Sequence, residues 1–443
     1  MMKFSEIINL YKEEQVDSFL KSKTGFNLTE KNLNYKKIEK FWKPLGDNMS
    51  NASVINMLKN GEKGLIERIT NAVDSVIEKK FKDLNLSVVN SSKKVLEKAF
   101  PDFYKKISEL DTTRKLQTAD AKNNVLVVAN DGSKSNKITF DIIDNGVGIE
   151  GNKFATTILS LNKGNKISSD KQYLIGAFGQ GGSTSLPFCS STIIISKKNN
   201  NLFFTVVKCV ELTEYKTGVY MYLTDINGNI NKLEDDSNFC SVEDYLGIFL
   251  NFCSGTIVRM IETDITKQYR INDINKKGAL GDYINTNLFN IGLPIKLIEN
   301  RKDFRDNKSS FDRYYYGAFL RAKTSKLIKK ELSGTMEIEN KNNIFKVDYY
   351  VILPEDESLW GKDSAARESY NNFNVTEDPI IYTVNGQLIS SEKFTKIGNA
   401  GLSNLKYRLL VVINLDFLGS DKYKFFASTR DAVKNTDLTN GLL

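Results

Sequence analysis

The sequence contains no histidine. That excludes Ser-His-Asp and Cys-His catalysis, imidazole-dependent zinc sites and phosphohistidine chemistry on this chain. Cysteine is also scarce: Cys189, Cys209, Cys240 and Cys253 are widely spaced and form no CxxC pair. Neither a metal knuckle nor a disulfide framework fits such spacing, so buried free thiols in a reducing compartment are expected. No run approaches the roughly 18–20 apolar residues of a membrane helix. The N-terminal MMKFSEIINLYKEEQ carries charges where a signal peptide needs an apolar stretch. A soluble, cytoplasmic protein without a membrane partner is expected.

With 443 residues, of which 40% are hydrophobic, the chain can bury a large core and build two or three domains. The 62 basic side chains exceed the 54 acidic ones by 8. An excess this mild fits an anionic partner such as DNA, and equally a solvated mixed surface.

Residues 1–50 are charged and partly helical, and Pro44 and Gly46 punctuate their end. A long helix is predicted from Gly61 to Leu84, because Leu65, Ile66, Ile69, Ala72, Val73, Val76 and Ile77 follow helical spacing. A Lys-rich helical stretch at 89–123 precedes strand-like runs at 124–130 and 137–144, joined by a hairpin signal at Asp131-Gly132-Ser133. A short helix at 153–161 comes next. Strands at 191–197, 202–208, 218–224 and 254–261 then read as an antiparallel meander. Residues 279–299 read as a helix closing this unit at Leu293-Pro294. Beyond a boundary near 300, strands are expected at 343–353, 380–384 and 406–416.

Three stretches carry chemistry. The alternating run Ile138, Phe140, Ile142, Ile143 is a buried strand that ends on Asp144-Asn145-Gly146-Val147-Gly148. A carboxylate there can accept a bond from a ligand's amino group, and the glycines let a flat ring lie against the main chain. A plain hairpin turn is the other reading. On the long helix, Glu67, Asn71 and Asp74 stand at i, i+4 and i+7 and so share one face. An acid and an amide so aligned can serve a divalent cation and an attacking water, or form a merely polar face. The third stretch, GAFGQGGS at 176–183, can wrap phosphate oxygens with consecutive N–H groups, or act as a hinge. It is not a GxxxxGK[ST] loop.

In this order and spacing, ERITNAVDS, DNGVGI, GAFGQGGS and the later SGTIV resemble the boxes of the GHKL ATPases, the superfamily of gyrase, the large heat-shock chaperones, histidine kinases and MutL. The first resembles the N box ExxxNAxDA, with Ser75 where alanine is usual, and the second matches DxGxG. The third resembles the lid box G-x-F-G-x-G, with Gly182 as an additional glycine. The resemblance covers roughly residues 45–300. It implies an α+β Bergerat-type sandwich, a mixed and mostly antiparallel sheet with helices on one face, using ATP and Mg2+ as cofactors. It also implies roles. Asp144 binds the adenine amino group, Gly148 packs under the base, Asn71 ligates Mg2+ and Glu67 activates water. Gly176, Phe178, Gly179, Gly181 and Gly182 hold the phosphates, Thr256 joins the water network beside Asp144, and Asp74, Gly146, Gln180 and Ser183 complete the nucleotide contacts.

The division implied is an N-terminal helical arm at 1–50, the ATPase domain at 51–300 and a smaller transducer-like domain (ribosomal S5 domain 2-like) at 301–443. In the last of these, Arg430 is the first candidate for the cation that reaches the γ-phosphate, and Lys434 the second. Proteins of this layout, MutL- and MORC-like among them, close a lid and dimerise on ATP. A nucleotide-dependent homodimer clamping nucleic acid, as in anti-phage defence, is therefore the first functional expectation. A chaperone-like ATPase with a protein client is the second, and a nucleotide-sensing module acting through a separate effector protein is the third. The ending NTDLTNGLL follows closely on the candidate loop, so an effector is expected on another protein or on a longer chain.

Overall fold

The apolar run at 138–144 is buried on both of its sides, which sets the architecture around it. The computed structural model describes residues 2–55, 60–87, 91–108, 118, 120–161, 171, 173–176, 182–236, 244–266, 270–272, 278–304, 313–323, 328–340, 343–354, 380–392 and 409–416. Among the described residues, eleven strands form the main sheet. They are β1 (Met2–Lys3), β2 (Trp42–Pro44), β3 (Val125–Asp131), β4 (Lys137–Asp144), β5 (Ser191–Lys198), β6 (Asn201–Val210), β7 (Val219–Leu223), β8 (Asn231–Glu234), β9 (Gly255–Asp264), β10 (Ile295–Glu299) and β11 (Arg313–Tyr315). The order is β1-β8-β6-β5-β9-β4-β3-β10-β11, with β7 on β6 and β2 on β7. Only the β1–β8 and β3–β10 pairings among them are parallel.

This is the mixed α/β sandwich expected, with β3 and β4 joined as the hairpin signal implied. Period-two geometry sends alternate side chains to opposite faces. Ile138, Phe140 and Ile142 enter a core with Leu65, Ile69, Val73 and Val76 of the Gly61–Asp83 helix. Ile143, Leu126 and Val128 enter a second core on the other face. That second face is not bare, as a sandwich with helices on one side would leave it. Phe4, Ile7, Val16, Leu20, Ile38 and Trp42 of the N-terminal segment pack there, with Leu246 and Phe249 of the Asp244–Leu250 helix. Through β1 and β2 the N-terminal segment also adds strands to the sheet.

A buried charge cluster pins that segment. Arg259 on β9 makes two bonds to Asp141 on β4, at 2.6 and 2.9 Å, and donates to the carbonyls of Ile8 and Leu10 at 2.7 and 3.1 Å. Tyr11 lies over the guanidinium, with its ring centroid 4.1 Å away.

Three expectations need correction. Residues 279–299 are a helix only over Leu280–Asn287; after Pro294 the chain becomes β10. Ile295 and Leu297 flank Lys296 on one face of the strand, and pairing with β3 buries them. Residues 153–161 form turns after a Gly151–Lys153 3-10 turn, not a regular helix. The hydroxyls of Thr156 and Thr157 both bond back to the Lys153 carbonyl, at 3.2 and 2.6 Å, and compete with the helical ladder. Cys209 and Cys253 are exposed rather than buried, Cys209 because it occupies an outward position near the end of β6.

A second sheet contains β12 (Ile328–Asn340), β13 (Asn343–Pro354), β14 (Ile380–Val384), β15 (Gln387–Glu392) and β16 (Leu410–Asn414), in the order β12-β13-β16-β14-β15. Phe289, Ala318 and Phe319 pack with Ile352, Ile381 and Val412 to join it to the main body. At the β14–β15 turn, Gly386 accepts a bond from Asn290 N at 2.8 Å and Asn385 donates to the Leu174 carbonyl at 3.0 Å. No helix among the described residues is long and apolar enough to cross a membrane.

Candidate nucleotide site

The Gly61–Asp83 helix starts where Asn60 accepts a bond from Lys63 N at 3.0 Å, a side-chain cap for an otherwise unpaired N–H. One face is core. The opposite face, with Arg68, Asn71, Asp74, Ser75, Glu78 and Lys82 at helical spacing, forms one wall of a cavity of about 420 Å³. Glu67 is buried beside that wall, one turn before Asn71, but does not itself line the cavity.

The end of β4 supplies the floor. Asp144 lies opposite Thr256 of β9 in register and only 5% exposed. Its carboxylate accepts from Gly146 N at 2.9 Å and is hydrogen-bonded by Ser75. The Ser75 hydroxyl also accepts from Val147 N at 3.2 Å, so the serine that departs from the usual alanine ties the helix to the turn. Burial pushes the Asp144 carboxyl up to about 7; the Ser75 and Gly146 bonds, Lys79 and Thr256 oppose that rise. The reason is desolvation of the charged form, so a buried carboxyl is held ready for a hydrogen-bonding ligand. Gly148 has φ +61°, and a Cβ there would collide with the Lys197 carbonyl. Only glycine fits that approach.

The third wall comes from the glycine-rich segment. Asp74 accepts the N–H groups of Ile175 and Gly176 at 2.7 and 2.9 Å, fixing where the segment leaves the helix. Gly182 and Ser183 return to the cavity and lead into the Ser183–Phe188 3-10 helix. Lys153, Lys171 and Lys198 stand along the cavity as well, with Lys171 paired to Glu78 at 3.0 Å.

Residues 117–238 match the family model for histidine kinase-, DNA gyrase B- and HSP90-like ATPases. The match supports the GHKL superfamily. A search of curated proteins found no match. The matched stretch holds β3, β4 and the glycine-rich segment, while the helix with Glu67 and Asn71 precedes it and β9 follows it. Those flanking elements complete the cavity walls.

Of the residues singled out in the sequence, Asn71, Asp74, Asp144, Gly148, Gly176, Gly182, Ser183 and Thr256 line this one cavity. Gly146 sits behind it: a Cβ there would collide with the Ser75 hydroxyl. Phe178, Gly179, Gln180, Gly181, Arg430 and Lys434 lie outside the described residues. Arg68, Ser75, Glu78 and Lys82 line the cavity without having been singled out by their chemistry. Their signal was present: they continue the i+3 and i+4 spacing of Asn71 along the same helix face.

Proposed function

We propose that this chain binds ATP with Mg2+ in the cavity and hydrolyses it to ADP and phosphate. One observation carries the reading. Asn71, Asp144, Gly176 and Gly182 come from three segments separated in sequence, and all line the same cavity. The Asp144 carboxylate accepts the adenine amino group, and Gly148 leaves room for the ring. Gly176 and Gly182 flank the phosphates at the two ends of the glycine-rich segment. Glu67 acts as general base on the attacking water. Among the described residues no group of three His, Cys, Asp or Glu could hold a metal ion alone. That suits Mg2+, which accepts few protein ligands: Asn71 offers it one hard oxygen, and phosphates and waters supply the rest.

We extend the proposal to a nucleotide-dependent homodimer whose second domain acts as transducer, with Arg430 or Lys434 reaching the γ-phosphate. The net charge of +8 is compatible with nucleic acid as the clamped partner, with phage defence as the setting.

Calorimetry with ATP tests the site: wild type binds and Asp144→Asn does not, since a lost buried carboxylate bond is worth about 1.5–3 kcal/mol and leaves a group unpaired. Equal affinities would sink the assignment. Light scattering with a non-hydrolysable ATP analogue tests the clamp, and a constant monomer would remove it. DNA affinity that falls steeply with salt would support the nucleic-acid partner.

A further inference from the structure

Arg68 is a charged group whose environment is incomplete without an anion. It is 4% exposed, on the cavity face of the Gly61–Asp83 helix. Its Nε donates to the Ser185 hydroxyl at 2.8 Å, and that hydroxyl donates to the Gly182 carbonyl at 2.9 Å. Among the described residues no carboxylate pairs with it. The other two arginines buried among the described residues are both paired, Arg259 with Asp141 at 2.6 Å and Arg301 with Glu299 at 2.6 Å. Burial lowers the Arg68 guanidinium to about 10, which leaves it charged at neutral pH. A buried charge without a partner is unfavourable, and an incoming anion relieves it.

The guanidinium faces the right place. A Cβ built on Gly182 would stand 3.2 Å from Arg68 Nη1 and 3.8 Å from Asn71 Nδ2, so the end of the glycine-rich segment, the amide and the cation converge. Arg68 precedes Ser75 by seven residues, about 10 Å along the helix at 1.5 Å per residue. Ser75 hydrogen-bonds Asp144. The cavity therefore has a carboxyl at one end and a cation toward the other.

We propose that Arg68 is a phosphate receptor of this cavity, selecting nucleoside polyphosphates over nucleosides by bonding the phosphate chain through its free Nη groups. The planar fork of a guanidinium matches phosphate oxygens in pairs. The proposal rests on the nucleotide reading of the cavity.

The test compares wild type, Arg68→Gln and Arg68→Lys for binding of ATP, adenosine and tripolyphosphate, with melting temperatures without ligand. In Arg68→Gln the expected result is at least about a tenfold loss of ATP affinity, unchanged adenosine affinity and no thermal shift by tripolyphosphate. Arg68→Lys recovers part of the ATP affinity. The unliganded melting temperature of Arg68→Gln does not fall, because removing a buried charge that has no carboxylate among the described residues offsets the lost bond to Ser185. Wild-type ATP affinity in Arg68→Gln overturns the proposal and leaves the nucleotide site standing. An equal loss of ATP and adenosine affinity with a lowered melting temperature makes Arg68 structural and also overturns it. A wild type that binds tripolyphosphate but neither ATP nor adenosine refutes the nucleotide reading, and with it the selection of nucleotides by Arg68.

Discussion

The carboxylate of Asp74 accepts the backbone N–H of Gly176 at 2.9 Å and of Ile175 at 2.7 Å. Two charge-assisted bonds thus join the Gly61–Asp83 helix to the first glycine of the glycine-rich segment. Leu174, just before them, accepts from Asn385 of the second sheet at 3.0 Å. The start of the glycine-rich segment is held from both sides, by the cavity wall and by the β14–β15 turn.

Asp74→Asn keeps one acceptor oxygen and loses the other along with the charge. A hydrogen bond to a charged group contributes about 1.5–3 kcal/mol, so a stability loss of that order is expected in chemical denaturation. Faster amide exchange at Ile175 and Gly176 should accompany it. Unchanged protection at both would disprove the anchor.

Asp144 makes stability and binding depend on pH in opposite directions. Its carboxyl is raised by burial from 3.8 to about 7, so the folded protein keeps this proton over a range where the unfolded chain has lost it. Stability from the neutral form is full below about pH 4 and is lost as pH rises through 7, on the order of 4 kcal/mol in all. Asp144→Asn should therefore melt above wild type at about pH 8, with the difference shrinking toward pH 4. An adenine amino donor favours the ionised carboxylate, so wild-type ATP affinity should rise from about pH 6 to 8 with proton release. Calorimetry in two buffers of different ionisation enthalpy reads that release; identical heats count against it.

A substitution at Glu67 tests whether binding and turnover separate. On the proposed assignment Glu67→Ala binds ATP as wild type does and loses about 10²–10⁴ in phosphate release, the usual contribution of a general base. Because Glu67 is buried beside the cavity wall rather than on it, its removal leaves the nucleotide contacts in place. Full turnover in the variant assigns the base elsewhere.

Arg259 and Asp141 form a buried pair that also holds the N-terminal segment through the carbonyls of Ile8 and Leu10. Arg259→Leu strands the Asp141 charge and should cost about 3–5 kcal/mol. Limited proteolysis should then cut the first fifty residues earlier than the rest. Wild-type resistance there would show that apolar packing alone retains the segment.

Several features were legible in the sequence because they are local. Helical spacing set the Gly61–Asp83 helix to within a residue, and period-two apolarity with a turn signal set the β3–β4 hairpin. The DNGVGI turn, the Glu67-Asn71-Asp74 face and the glycine-rich segment were visible as separate patterns, each with a plain alternative. What no pattern contained was their convergence. Asp144 meets Ser75 only because β4 lies under the helix, and Thr256 arrives by pairing across from Asp144. Burial belongs to the tertiary structure too: it moves the Asp144 carboxyl and encloses Arg68, which no carboxylate pairs among the described residues. The same holds for β10: its five residues suit a helix or a strand, and the open edge of β3 decided between them. Residue types and spacing determined which chemistry this chain can carry. Only folding decided which of those groups are desolvated together, and desolvation is what gives a carboxyl and a guanidinium a use for a ligand.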